Sequence, residues 1–290
     1  NTDKVVKYID EVKRLGIKLL PPSIQKSLVE FSAFEDAEGN EAILFGLGAI
    51  KGVGNAAISK ILEARADAPF SDMSDFISRI DSSKVNKKVL ESFIKSGSFD
   101  DFGLSRRALL EGIDAIIEAS GECSRAKKMA ESSLFGDDSE MVTVRVNIEN
   151  LPEYEPKRLL ELEKETIGFY ISGHPLDAFR AEIGDIHYTL SSEKDQIEDG
   201  SKALFIGKVE AITEKISKKG NKFGIITLMD FHGSMELTVF EKQLDAMEKM
   251  DKDRPLCFKV EVSNEGQGTK MRVMKIMELE EAKKEKIETK

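Results

Sequence analysis

Apolar positions recur at helical spacing in the first stretch of the chain. Val5, Val6, Ile9, Val12 and Leu15 predict a helix over residues 1–15, and Gly16 suits its C-terminal cap. Pro21-Pro22 marks an extended stretch. Residues 29–34 and 42–45 read as two short strands about the polar turn 35–40. Gly52 and Gly54 then punctuate a tight turn, after which Ala57, Ile58, Ile61 and Leu62 define one helix face. Pro69 ends that unit, and Asp72 is placed to cap a short helix through Ile80. Val89, Leu90, Phe93 and Ile94 predict a helix over 86–95, a turn follows at 96–100, and a further helix runs from Ser105 to Ala119.

Beyond residue 120 the pattern weakens. Residues 137–150 are acidic and poor in apolar positions, so 120–150 reads as a linker or loosely packed segment. Helical spacing returns over 156–171 and breaks at Gly173-His174-Pro175, which makes 151–202 a helical connector. From residue 203 the period changes from 3.6 to 2. Strands are expected at Leu204–Ile216, Phe223–Asp230, Ser234–Phe240, Leu256–Val262 and Met271–Leu279, with a helix at Gln243–Met250 between the third and fourth. Three strands, a helix and two strands is the order of an OB-fold over 203–279, and 280–290 reads as a charged, frayed tail. The fold class is therefore α+β and multidomain: a helical hairpin region followed by a five-stranded barrel.

Composition narrows the classes. The chain has 290 residues, enough for two domains of roughly 100–200 residues each. Its 40 % hydrophobic content can build a core. No apolar run is long enough to span a membrane, and no signal peptide opens the sequence. Cys123 and Cys257 lie far apart, which excludes a disulfide scaffold and a Cys-rich zinc site. A cytoplasmic location is expected. The start at Asn1, already helical in pattern, suggests part of a longer chain. The net charge of -10 argues against nucleic acid until it is placed along the chain. Residues 111–201 hold 21 acids against 9 bases, whereas 81–110 and 202–279 are mildly basic, and phosphate contact needs only a local positive face.

Ile50-Lys51-Gly52-Val53-Gly54 followed by Asn55-Ala56-Ala57-Ile58 is the pattern of a helix-hairpin-helix. Glycine allows a phosphate to approach the backbone N–H groups at the N-terminus of the second helix, where the dipole favours an anion. Lys51 and Lys60 add charge. Such contacts position DNA without reading its sequence. Residues 86–103 read as a second unit, with Ser96-Gly97-Ser98, which holds only one glycine, as its hairpin and Lys87, Lys88, Lys95, Arg106 and Arg107 around it. A tight helix–helix turn without a ligand is the alternative for both.

Glu131-Ser132-Ser133-Leu134-Phe135 sits in a polar stretch, and an exposed Leu-Phe pair suits docking into an apolar pocket of a partner. A contact back onto the same chain is the alternative. In the barrel, Lys218, Lys219 and Lys222 cluster in the first inter-strand loop with Phe223 beside them, a set suited to single strands. Without Trp or Tyr in 203–279, and with most strand Phe residues expected in the core, single-strand affinity is expected to be weak. Three scattered histidines and adjacent, diverging acids give no general base a partner and no metal a ligand set, so no catalytic residue and no cofactor is expected in this chain.

Several segments together carry a resemblance: GIKLLPP at 16–22, GLGAIKGVG at 46–54, FIKSGSFDDFG at 93–103, SSLFG at 132–136, ETIGFYISGHPL at 165–176 and KKGNKFGIITLMD at 218–230. In order and spacing the chain resembles the C-terminal region of bacterial DNA polymerase III alpha subunits, the replicative polymerases. The resemblance implies that 1–45 is the end of the fingers and that 46–119 is a tandem helix-hairpin-helix region holding duplex DNA. It also implies that residues 131–135 bind the sliding clamp and that 203–279 lies near single-stranded template. Other replisome subunits are further partners it implies. The palm, with its Mg2+ ions, would lie outside this chain, which alone would be inactive. Glu131 stands where the clamp motif usually opens with Gln, and a carboxylate cannot donate the amide's hydrogen bonds. Ile225 stands where relatives often carry Phe. The rival readings are a free-standing nucleic-acid-binding protein and a replisome scaffold.

Overall fold

A computed structural model describes residue 9, residues 11–12, 15–36, 38–80, 83–132, 144–218, 220–264 and 269–284. The chain divides into two compact units, Asn1–Gly173 and His174–Lys290. The segment 151–202, expected as one connector, is thereby shared between them.

The first unit opens with a small sheet. Strand β1 (Lys18–Leu20) runs parallel to β3 (Glu41–Leu44), and β2 (Ser32–Glu35) pairs antiparallel on the other side. Only β2 and β3 were foreseen. Three residues are too few to show a period, and β1 exists through its register with Ala42–Leu44. Helices follow: α1 (Asn55–Asp67), α2 (Met73–Arg79), α3 (Lys87–Lys95), α4 (Arg106–Glu111), α5 (Ile113–Ser132) and α6 (Pro156–Thr166). Polar caps set three of these starts. Asp72 accepts from the Asp75 N–H at 2.8 Å, Asn86 from that of Val89 at 3.1 Å and Ser105 from that of Ala108 at 3.0 Å. The single helix expected over 105–119 is two helices broken at Gly112, and the second continues well into the expected linker.

The stretch 144–150 is also not loose. Val144, Val146 and Ile148 pack on the helical core, and the Val146 N–H donates to Ser74 Oγ at 3.0 Å. Alternate apolar residues in an extended chain supply this contact without a helical or strand signal. The core itself is rich in phenylalanine. Phe99 is fully buried and meets Phe76 edge-on at 5.0 Å, a favoured geometry for aromatic rings.

The second unit is a closed barrel with neighbour order β4-β5-β6-β8-β7. Its strands are β4 (Lys202–Ile216), β5 (Lys222–Asp230), β6 (Gly233–Phe240), β7 (Leu256–Ser263) and β8 (Lys270–Met277), with helix α8 (Glu241–Glu248) between β6 and β7. This is the OB-fold arrangement. Closure depends on β4, which pairs with β7 through its first half, bulges at Val209/Ala211 and pairs with β5 through its second. Ala203 and Phe205 point into the barrel. Leu204 and Ile206 face outward but are buried beneath Leu176, Ile183 and Ile186 and beneath α9 (Leu279–Lys284). Helix α7 (Arg180–Gly184) supplies Ile183. The start of the tail expected to fray is thus helical and packed through Leu279 and Ala282.

Candidate nucleic-acid interface

Residues Ile50–Gly54 form a tight turn between a short 3-10 turn, Leu47–Ala49, and α1. Ile50 is buried and anchors the turn, while Val53 packs half-buried on the same core. Gly52 adopts φ +84°, a conformation that L side chains rarely take. Gly54 is the N-cap of α1 with no side-chain cap, and nothing lies within 4 Å of the position a Cβ would occupy. No side chain caps the backbone donors at the start of this helix, and Gly54 and Asn55 are both exposed. Lys51, Asn55 and Lys60 are exposed around it. Lys88, from α3, reaches the same place: its Cε lies 3.9 Å from the Cβ position of Gly52. Among the described residues, Lys51, Lys84 and Lys88 form no ion pair. Lys60 pairs with Glu63 at 2.6 Å, and Lys87 pairs with Asp114.

The second hairpin differs from the sequence reading. Ser96, Gly97 and Ser98 are buried and offer no surface to a ligand. The two serine hydroxyls share a 2.8 Å hydrogen bond, and the Ser98 carbonyl accepts from the Ile24 N–H at 2.8 Å. Gly97, at φ +80°, leaves room for the Arg106 guanidinium, which any Cβ would strike. Arg106 makes a two-bond fork with Asp100, at 3.1 and 2.7 Å, and bonds to the buried carboxylate of Glu163 at 3.2 Å. Glu163 in turn accepts from the Ile171 and Ser172 N–H groups, both at 3.1 Å. Burial alone would lower the Arg106 pKa; its bonds to Asp100 and Glu163 outweigh that and raise it. The group is a charged structural pin. Sequence reading placed Arg106 beside this hairpin but missed Glu163 and their pairing, because their meeting spans 57 positions.

Of the docking motif, Ser133, Leu134 and Phe135 lie outside the described residues, as do the side chains of Glu131 and Ser132 at the end of α5. Lys219 also lies outside them. Lys218 is exposed, and Lys222 pairs with Glu214 at 2.9 Å. Phe223 is half-buried, on the outer face of the barrel, because β5 turns Gly224, Ile226 and Leu228 inward. Directly across from Phe223 lies Phe240 on β6, which is 40 % exposed. Arg272 on β8 places its guanidinium carbon 5.0 Å from the Phe240 ring centroid, within cation–π range. Phe205 and Phe258, by contrast, fill the core. Phe240 is one of the barrel rings the sequence offers, and strand alternation places it outward; Arg272 was not singled out, and only the non-local β6–β8 pairing brings it to Phe240.

Other chemistry is sparse. Among the described residues no group of three or more His, Cys, Asp and Glu side chains is placed to hold a metal ion, and no helix is long and apolar enough to cross a membrane. Burial pushes the Cys257 thiol up to about 12, so it stays protonated at neutral pH.

Residues 16–109 match the helix-hairpin-helix motif family, which covers both hairpins. The barrel is similar to a mitochondrial single-stranded DNA binding protein of S. cerevisiae, at 18 % identity over 27 % of this chain and 93 % of that one, TM-score 0.23. It is also similar to the second OB-fold domain of replication protein A from Methanococcus maripaludis, at 18 % identity over 28 % of this chain and 87 % of that one, TM-score 0.23. The barrel's own strand order carries the fold assignment. Whole-chain similarity runs to bacterial DNA polymerase III alpha subunits. It is 43 % identical over 88 % of this chain in Campylobacter jejuni, 40 % over 98 % in Helicobacter pylori and 33 % over 98 % in Escherichia coli K12. The match occupies 21 %, 24 % and 25 % of those proteins, so this chain spans about a quarter of their length. With both hairpins and the barrel inside that match, the chain belongs to the DNA polymerase III alpha subunit family.

Proposed function

We propose that this chain holds DNA for template-directed synthesis by a replicative polymerase. Duplex contact is assigned to the helix-hairpin-helix region, single-strand contact to the outer barrel face, and sliding-clamp contact to residues 131–135. The nucleotidyl transfer itself, with its Mg2+ ions, is assigned to a palm outside these residues. The observation that carries the duplex reading is the uncapped start of α1, open at Gly54, with Lys51 and Lys88 beside it. That combination suits a phosphate oxygen and reads no base. The single-strand reading is supported by the Phe223–Phe240 pair and Arg272, since bases stack on rings and on guanidinium planes.

The clamp assignment rests on the family relationship and the Leu134-Phe135 pair. Tethering would matter because a modest contact made intramolecular raises local concentration at the primer end.

Fluorescence anisotropy with labelled duplex and single-stranded oligonucleotides, over a series of salt concentrations, tests the DNA reading. Affinity for both should fall steeply with salt. Absence of binding at low salt would sink the reading. Calorimetric titration with the clamp, beside a Leu134→Ala/Phe135→Ala double variant, tests the tether; equal heats from both chains would move it elsewhere.

A further inference from the structure

The two hairpins present opposite chemistry at corresponding places. At the first, α1 begins uncapped at Gly54, and residues 46–62 contain no acid. At the second, the start of α4 is already occupied. Glu153 accepts the Arg106 N–H on Oε2 at 2.8 Å and the Arg107 N–H on Oε1 at 3.2 Å. This carboxylate stands where an anion would sit on those donors. The concavity above Gly97 is filled in the same way, by the Arg106 guanidinium held between Asp100 and Glu163. At the rim of the second hairpin, Asp100 takes the Arg106 fork and Asp101 pairs with Lys26 at 3.0 Å, so the basic groups there are already engaged by this chain's own carboxylates. The segment that delivers Glu153 is fastened over the hairpin, with Ser105 Oγ donating to the Leu151 carbonyl at 2.8 Å.

We propose that the second hairpin is closed to the DNA backbone by this chain's own Glu153 and Arg106, so that duplex contact falls on Lys51, Gly54 and Lys88 around the first. The second unit then serves the first. Its helix α3 contributes Lys88 to the neighbourhood of Gly52, and Arg106, at the start of α4, pins α6 through its pair with Glu163. Matching motifs in sequence carry unequal roles in the fold. This inference rests on the duplex-gripping reading above.

The test compares single-charge variants of the 290-residue chain. Lys51→Gln, Lys88→Gln and Arg107→Gln each remove one positive charge, the last at the start of α4. Duplex affinity is measured by anisotropy against salt concentration. Lys51→Gln and Lys88→Gln should each flatten the slope of log affinity on log salt by about one, as expected for one lost phosphate contact. Arg107→Gln should leave the slope at its unaltered value. Gly54→Ala supplies an uncharged check. Its φ of −93° and open surroundings accommodate a methyl, so the melting temperature should hold while duplex affinity falls. A loss with Arg107→Gln equal to that with Lys51→Gln would overturn the proposal. So would unchanged binding by Lys51→Gln, Lys88→Gln and Gly54→Ala while the unaltered chain binds. If the unaltered chain shows no duplex binding at low salt, the duplex reading falls and the division between hairpins falls with it.

Discussion

Arg106 is 5 % exposed and Glu163 is fully buried, so neither charge has water to fall back on. Removing the cation leaves a carboxylate stranded in the core, which typically costs about 3–5 kcal/mol. Arg106→Ala should therefore lower the urea midpoint of the first unit sharply. Arg106→Lys should recover only part of the loss, since an ammonium cannot reproduce the planar fork to Asp100. Asp36 gives a pH-dependent case. Its carboxylate accepts the Asn40 N–H at 2.9 Å and the Glu38 N–H at 3.0 Å. The Asn40 bond, foremost among the causes, brings its pKa down to about 2 from an ordinary 3.8. A folded pKa below the unfolded one stabilises above the unfolded value, and that gain is lost as pH falls through the folded value. The melting-temperature gap between the unaltered chain and Asp36→Asn should be widest near neutral pH. It should close on acidification from about pH 4 towards about pH 2.

At the level of elements, the glycines of both hairpins were legible because tight turns require them. Their purposes were not. Gly52 and Gly54 open a turn outward, whereas Gly97 makes space for a side chain arriving from the next helix. Gly97→Ala should cost about 1–3 kcal/mol, the range for a strained backbone position, and more if Arg106 is displaced. Chemical denaturation of the variant measures this. The barrel strands were legible from period-2 alternation, with boundaries shifted by one or two residues at most, the last of them ending at Met277, where the chain turns into α9. Alternation also places Phe240 outward; it does not place Arg272 beside it. Phe240→Ala should weaken single-stranded oligonucleotide binding by about 1–3 kcal/mol, as for the loss of one stacked base. Duplex affinity should stay constant, which anisotropy with both ligands will show.

Across the whole molecule, the boundary between units falls at Gly173/His174, not at the start of the barrel strands. Leu176, Ile183 and Ile186 cover Leu204, Ile206 and Cys257 on the outer side of β4 and β7. Fragments test the consequence. Residues 174–290 should unfold in one cooperative transition by circular dichroism. Residues 203–290 should melt at lower temperature or fail to fold, because that apolar outer face would meet water. The break read at Gly173-His174-Pro175 lies on this boundary, but 151–202 was joined across it as one connector, since periodicity reports which face is apolar and not which neighbour it meets.

The amino-acid sequence by itself determined the order of modules: hairpins first, then a change of period into a five-stranded barrel. Those signals are local. Glycine spacing, caps such as Asp72, Asn86 and Ser105, and alternation along a strand are settled within a few residues. Tertiary structure decided which hairpin stays open. Glu153 reaches the start of α4 from 46–47 positions away, and Glu163 reaches Arg106 from 57. It also created β1 through a parallel partner beyond a strand's own length and set Arg272 over Phe240 across the barrel. A charge or hydrogen-bond partner brought from far along the chain leaves no trace in local periodicity, so the chemistry of both sites emerged only when the chain was folded.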